Sequence, residues 1–319
     1  MSAPAPIGDL AALVDVASGA KAVHVICLGL SALDQVWHVE RSFAGGSEKI
    51  RAVEYATLGG GMAANASVAV ARLGASVAFW GRAGNDAAGH EMKSAFIAEG
   101  VDAENFRLFP DGRSSVSGII VDRSGERQIV NFRGLYPEAA DWLPLEAVAR
   151  ASAVLADPRW AEGAATLFQA ARQRGIPTVL DGDVAEAEVF ARLLPLADHA
   201  IFSEPALAAF AGSAGDETLG ALSRFGGCVI GVTRGEGGVS WFENGEVHRQ
   251  AAYSVDVLDT TGAGDVFHGA YALAIGAGLS VRAAMAFSAA TAAMKCRHAG
   301  GRNGIPAIND SLAFMRTQP

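Results

Sequence analysis

Cysteine is scarce in this chain of 319 residues: Cys27, Cys228 and Cys296 lie far apart, and no C-x-x-C pair occurs. That excludes a disulfide framework and a thiolate metal knuckle, and it is expected of reduced core thiols in a cytosolic protein. No apolar run reaches the length of a membrane span, so no membrane partner is expected. Basic clusters are also absent, and Asp and Glu outnumber Lys and Arg 34 to 25. With a formal charge of −9 there is no footprint for a nucleic acid. No G-x-x-x-x-G-K-[ST] occurs, which excludes a P-loop. After the first apolar run the chain reads Gly29-Leu30-Ser31-Ala32, which is not a dinucleotide fingerprint and argues against an NAD-linked oxidoreductase. The seven histidines have no metal-ligand spacing, and His268 reads as a packed helix residue. Residues 1–20 lack a basic n-region and are expected to be an acidic, alanine-rich extension rather than a secretory signal.

Half of the residues are hydrophobic, enough for one large α/β domain with a small appendage. Val23 to Gly29 reads as a buried strand, with Asp34 at its C-terminal mouth. Val39, Arg41 and Phe43, then Ile50, Val53 and Tyr55, read as exposed hairpin strands around Gly45-Gly46. A second hairpin is expected over Val116–Val121 and Gln128–Phe132. Between and after them, strands alternate with helices, the pattern of parallel βαβ units. The two hairpins are expected to form one β lid, over 36–58 and 115–133. The core then spans 22–35, 59–114 and 134–319, after an extension over 1–21. Asn244-Gly245 signals a tight turn between two antiparallel strands.

The stretch with most chemistry runs from Asp259 to Gly269, D-T-T-G-A-G-D-V-F-H-G. Tyr253 to Leu258 before it reads as a strand, and the residues from Val266 onward fall at helical spacing. Gly262, Ala263 and Gly264 allow close backbone approach at a helix N-terminus, which favours an anion. Asp265 is a carboxylate in a site made for negative charge. Phosphate binding alone does not want it, but removal of a hydroxyl proton beside a moving phosphoryl group does. A second glycine run, Gly59-Gly60-Gly61, opens a helix without G-x-G-x-x-G spacing and with no strand expected directly before it. Asp34 and Asn65 near glycine backbone suit contacts to vicinal hydroxyls.

The run D-T-T-G-A-G-D-x-F-x-G resembles the C-terminal signature of the ribokinase, or phosphofructokinase-B (PfkB), family of sugar kinases. Gly60, Gly61 and Asn65 match the family's sugar-contacting G-G-x-x-x-N, and Asp34 matches its sugar-binding aspartate. Thr233, Gly235 and Gly238 resemble its nucleotide-contacting T-x-G-x-x-G. The resemblance covers about residue 22 to the end. It implies a three-layer core with a mostly parallel sheet flanked by helices, a small β lid, ATP and Mg2+ as cofactors, and a homodimer paired through the lids. Where most members carry N-x-x-E, this chain reads Ser203-Glu204-Pro205-Ala206. Ser203 is then expected on the nucleotide side. Glu204, or Asp181 or Asp183 through waters, stands in for the magnesium residue. The resemblance also implies a monovalent-cation (K+) position near Asp259, Thr261 and Gly300.

Within the family, several stretches look like the sulfofructose kinase branch, among them Ala156-Asp157-Pro158-Arg159-Trp160, Phe202-Ser203-Glu204-Pro205 and the G-G-R-x-G-I-P from Gly300. That branch shares the Ser-Glu-Pro departure. It implies a sulfonate held by Lys49, Asn131 and Arg159. Lys49 is the only lysine between Lys21 and Lys93, in an acidic chain. Two cations and an amide donor suit a fixed anion remote from the reacting hydroxyl. The expected activity is ATP-dependent phosphorylation of a sugar's primary hydroxyl, best matched by 6-deoxy-6-sulfofructose. Fructose, ribose, a fructose phosphate or a nucleoside is the alternative substrate, and a non-catalytic sugar- or nucleotide-binding regulator is the alternative class.

Overall fold

A computed structural model describes residues 10–41, 45, 47–226 and 229–318. Phe43, Gly46, Cys228 and the first nine residues of the N-terminal extension lie outside the described residues. The strands are β1 (His24–Gly29), β2 (Ala32–Val39), β3 (Ala52–Gly60), β4 (Ser76–Gly84), β5 (Phe106–Phe109), β6 (Val116–Val121) and β7 (Arg127–Phe132). After them come β8 (Ala153–Ala156), β9 (Thr178–Gly182), β10 (His199–Ser203), β11 (Val229–Thr233), β12 (Val239–Glu243) and β13 (Glu246–Gln250).

Nine strands form one sheet in the order β13-β12-β11-β10-β9-β8-β1-β4-β5. It is parallel from β11 to β5, and β12 and β13 close it in antiparallel fashion. The central strands β8 and β9 are buried along their whole length, as continuous apolar runs between two helical layers require. Two hydrophobic clusters, one on each face, hold the helices to the sheet. The chain runs from β1 out to β4 on one side and later returns to β8 on the other. Order therefore reverses beside β1, and ligands of such sheets bind at the carboxyl ends of the strands there.

The two expected hairpins do join, as one four-stranded sheet in the order β3-β2-β6-β7, but the first lies elsewhere than expected: β2 ends at Val39, which is buried, Arg41 and Ile50 lie outside the strands, and β3 starts at Ala52. Its centre is a parallel pair, β2 with β6. The turn between β6 and β7 is fixed by Asp122, whose Oδ1 accepts from the Ser124 and Glu126 amides at 2.8 and 3.2 Å. Asn244 and Gly245 take positive φ of 53° and 88°, the left-handed pair that the tight turn from β12 to β13 needs.

Three expectations require correction. Tyr253 to Leu258 is not a strand: the sheet edge is already taken by β13, the run pairs with no strand among the described residues, and Leu258 N donates instead to the Cys296 carbonyl at 2.8 Å. Tyr253, Ser254, Val255 and Val257 instead line one wall of a cavity. A strand, β3, does run directly into Gly60, but it belongs to the lid and pairs antiparallel with β2. Residues 10–20 do not trail from the core, since Leu13 and Val16 of the helix Ala11–Ala17 are buried in the main cluster. Lys21 anchors the end of that segment by donating to the Ala277 carbonyl at 2.5 Å. Cys27 and Cys296 are buried free thiols.

Candidate active site

The helix Ala263–Gly276 starts at Gly262, whose φ of 74° is a left-handed value that an L-residue with a side chain adopts at a cost. A Cβ at Gly262 would also meet the Gly301 carbonyl at 2.6 Å. No side chain caps this helix end; the Ala263 amide turns back to the Thr260 carbonyl at 3.1 Å, and among the described residues the structure records no partner for the amides of Gly264 and Asp265, which suit a ligand. A Cβ on Gly264 would meet no heavy atom within 4 Å, so the space above it is open.

That space belongs to a cavity of about 740 Å³, lined by Thr233, Gly235 and Gly238 at one end and by Ala263 and Gly264 at the other. Phe267, Ala289 and Ala293 give it an apolar wall. A volume of this size suits a nucleotide. Ser203 caps the helix Glu204–Ala211, accepting from Ala206 N at 3.3 Å, and its hydroxyl lies 3.3 Å from Asp183 Oδ1. Glu204 points to Arg234 instead, with Oε1 3.6 Å from the guanidinium.

Asp265 stands in the first turn of the same helix. Its Oδ2 accepts from Asn65 Nδ2 at 2.6 Å. Burial, reinforced by the Asp181 carboxylate, pushes its carboxyl up to about 7, against the Asn65 amide and His268, which favour the ionised form. Asp181 is buried on β9, and burial with the nearby Asp183 and Asp157 holds it well above the usual carboxylate range. His268 Nδ1 lies 3.4 Å from Asp181 Oδ2 but 2.8 Å from the Gly264 carbonyl, its better partner. Among the described residues Asp181 Oδ2 thus has no hydrogen-bond partner.

Asp34, Ser117 and Asn131 occupy one rung of the lid sheet, paired across β2, β6 and β7. Residues on one rung share a face, so Asp34 and Asn131 stand about 10 Å apart on the same side. Asn131 Nδ2 donates to Ser117 Oγ at 3.1 Å, and Ser117 in turn bonds the Asp34 carboxylate. Burial raises the Asp34 carboxyl, opposed by Ser117 and Arg302.

The glycines of the second loop serve close approach. A Cβ on Gly60 would fall 2.3 Å from Asp34 Oδ2, and one on Gly59 would fall 2.3 Å from Arg302 Nη1. Gly61 ends the run as the N-cap of the helix Met62–Arg72, which carries Asn65.

Arg159 follows β8 in a short turn, half-buried, with its guanidinium 3.8 Å from Asp183 Oδ2. Lys49 is exposed, in the lid segment before β3. The structure records no contact between Lys49 and Asn131 or Arg159. Asp259, Thr261 and Gly300 do come together: Asp259 Oδ1 accepts from the Thr261 amide at 2.9 Å and its hydroxyl at 2.7 Å, and Oδ2 accepts from Gly300 N at 2.8 Å.

Three residues without an assigned role in the sequence prove central. Asp157 is fully buried, and its carboxylate accepts from the amides of Leu30, Ala63 and Arg159 at 2.8, 3.1 and 2.9 Å. It therefore ties the ends of β1 and β8 to the start of the helix Met62–Arg72. Its signal was an Asp before Pro at the end of an apolar strand. Lys295 is fully buried and donates to the Asp259 carbonyl at 2.9 Å. Arg302, inside the G-G-R run, donates from Nε to Asn65 Oδ1 at 2.9 Å. Nothing local marks either cation as internal.

Among the described residues no helix is long and apolar enough to cross a membrane. The model of the pfkB family of carbohydrate kinases matches residues 23–308. A ribokinase of Haemophilus influenzae is 29% identical over 279 residues, covering 84% of this chain and 90% of its own. A fructokinase of Klebsiella pneumoniae is 31% identical over 233 residues, covering 65% of this chain and 74% of its own. Among solved structures, a provisionally assigned ribokinase of Agrobacterium tumefaciens superposes with a TM-score of 0.87 at 37% identity, over 93% of this chain and 98% of that one. Arabidopsis thaliana ribokinase, complexed with ribose and ATP, gives 0.84 at 24% identity, over 93% and 100%. The chain belongs to the pfkB family of carbohydrate kinases and is an ATP-dependent phosphotransferase.

Proposed function

We propose that this kinase transfers the γ-phosphoryl group of ATP to a primary hydroxyl of a small anionic sugar, and that 6-deoxy-6-sulfofructose is that sugar. The observation that carries the transfer is the junction at Gly264: the nucleotide-sized cavity ends where Asp265 begins. ATP occupies the cavity with its phosphates at Gly262, Ala263 and Gly264. The sugar lies against Asp34, Gly60, Gly61 and Asn65, under the lid. Asp265 takes the hydroxyl proton as the oxygen attacks in line, and the helix end stabilises the charge on the phosphoryl group.

Magnesium supplies charge neutralisation on the phosphates when bound. The described residues hold no group of three ligands for it. The orphaned Oδ2 of Asp181 and the partly exposed Asp183 suit water-mediated contact instead, whereas Glu204 is engaged by Arg234.

The sulfonate reading rests on the sequence resemblance and on Arg159, whose long ion pair to Asp183 leaves donors for a ligand at the carboxyl ends of β8 and β9. Asn131, on the Asp34 rung, supports it from the lid, and Lys49 supplies a second cation. Relatives named as fructokinases favour fructose as the second reading. A panel assay of ADP release decides: the proposal expects the highest kcat/KM with 6-deoxy-6-sulfofructose, and a preference for fructose, ribose, a fructose phosphate or adenosine overturns it.

A homodimer through the lids completes the reading. Tyr55 and Val130, on the lid face opposite the Asp34 rung, are 53 and 75% exposed, an apolar patch that a second copy would cover. Light scattering giving a monomer mass would contradict it.

A further inference from the structure

The geometry points to Arg302 as a positioning residue: through Asn65 it fixes the hydrogen-bonding face presented to Asp265. This rests on Asp265 as the base and adds the device that holds it.

An amide side chain has one acceptor end and one donor end, and the two are nearly the same shape. Beside the carboxyl of Asp265, Asn65 on its own can give its NH2 to the ionised form or its oxygen to the protonated form. Arg302 removes the choice. A guanidinium only donates, so its Nε, 2.9 Å away, must meet Oδ1 of Asn65. The NH2 is then turned to Asp265, where it donates to Oδ2 at 2.6 Å. Asn65 engages Oδ2 and leaves Oδ1 to accept the sugar's proton.

Arg302 is itself held. Its carbonyl accepts from Arg72 Nη1 at 2.5 Å, and Arg72 is paired to Glu99 through contacts of 2.7 and 2.8 Å. Its guanidinium lies against the bare backbone of Gly59 and 5.7 Å from the centre of the Phe96 ring. The arginine of the C-terminal loop and Asp265 on the helix Ala263–Gly276 therefore share one amide, with the arginine seated against Gly59.

Other charged groups act on Asp265. Asp181 and Asp183 face it from β9 and the loop that follows, His268 from its own helix, and Lys295 from the helix Val281–Lys295. Of these and Arg302, Arg302 is the one bonded to Asn65. Removing it allows the amide to turn its oxygen to the carboxylate, which disfavours ionisation, as does loss of the positive charge.

The test is kcat/KM against pH for the full-length enzyme with Arg302→Met, Arg302→Lys, Asn65→Ala and the double variant Asn65→Ala/Arg302→Met, with melting curves for each. The acidic limb should move up by about one pH unit in Arg302→Met, with kcat at neutral pH down about tenfold. Arg302→Lys keeps a donor and should recover part of both. In the Asn65→Ala background, Arg302→Met should add less than about twofold. An unmoved limb, a change in KM alone, or full additivity would overturn the proposal. Should Arg302→Met not fold, Arg302→Lys carries the test: it should move the limb part of the way, and a wild-type limb with wild-type kcat is the contrary result. Asp265→Asn run alongside separates the layers. Its near-normal turnover refutes the base itself, whereas a dead Asp265→Asn with an unmoved limb in Arg302→Met refutes positioning alone.

Discussion

The side-chain amide of Asn65 donates to the carboxylate of Asp265 over 2.6 Å, across 200 residues of sequence. That bond joins the first turn of the helix Met62–Arg72 to the first turn of the helix Ala263–Gly276. On the function proposed above, sugar and nucleotide would meet at this contact.

The protonation of Asp265 sets the pH dependence. Burial and the Asp181 carboxylate raise its carboxyl to about 7, and a base must be unprotonated to work. kcat/KM should therefore rise with pH up to about 7 and level off above it. A profile flat from pH 5 to 8 would contradict the assignment.

Arg159 is expected to recognise an anion carried by the sugar. Arg159→Ala should raise KM for a sulfonated or phosphorylated sugar by about tenfold or more, with a much smaller effect on fructose. Steady-state kinetics on both sugars give the comparison. Equal effects would remove the anion from the account.

Asp157 is expected to matter for stability and for sugar affinity together. Its carboxylate satisfies three amides from three loops. Asp157→Ala leaves buried N–H groups unpaired and should cost about 3 kcal/mol, read by denaturant unfolding, with a higher KM for the sugar. An unchanged unfolding midpoint would show the loops to be held otherwise.

Much of this was legible in the sequence, and the limits have physical causes. Gly262, Gly264 and Asp265 are near neighbours at one helix start, so their short spacing in the sequence already placed them together. The parallel core was readable because β8 to β11 are apolar runs separated by helices. The rung that joins Asp34 to Asn131 was not, because strand register depends on pairings about 80 to 100 residues apart in the chain. Tyr253 to Leu258 read as a strand although the sheet edge was already taken by β13; the run lines a cavity instead. β5 escaped notice because it is four residues long, with an arginine among them. Arg302 and Lys295 looked like surface charges, and burial of a cation is decided by the partners the fold brings to it.

Lys295 bears on the cation expected beside Asp259, Thr261 and Gly300. Its ammonium is already bonded to the Asp259 carbonyl, a tethered positive charge behind the phosphate loop. Potassium should change the rate of the wild-type enzyme little. Lys295→Met should raise KM for ATP and make the residual activity respond to potassium. Strong activation of the wild type by potassium would refute this.

The base is tested most directly by single-turnover phosphoryl transfer in Asp265→Asn, with ATP and sugar binding measured on the same protein by calorimetry. Both affinities should stay within a few-fold of wild type while the transfer rate falls about a thousandfold or more. Transfer at a near wild-type rate with both ligands bound would contradict the account.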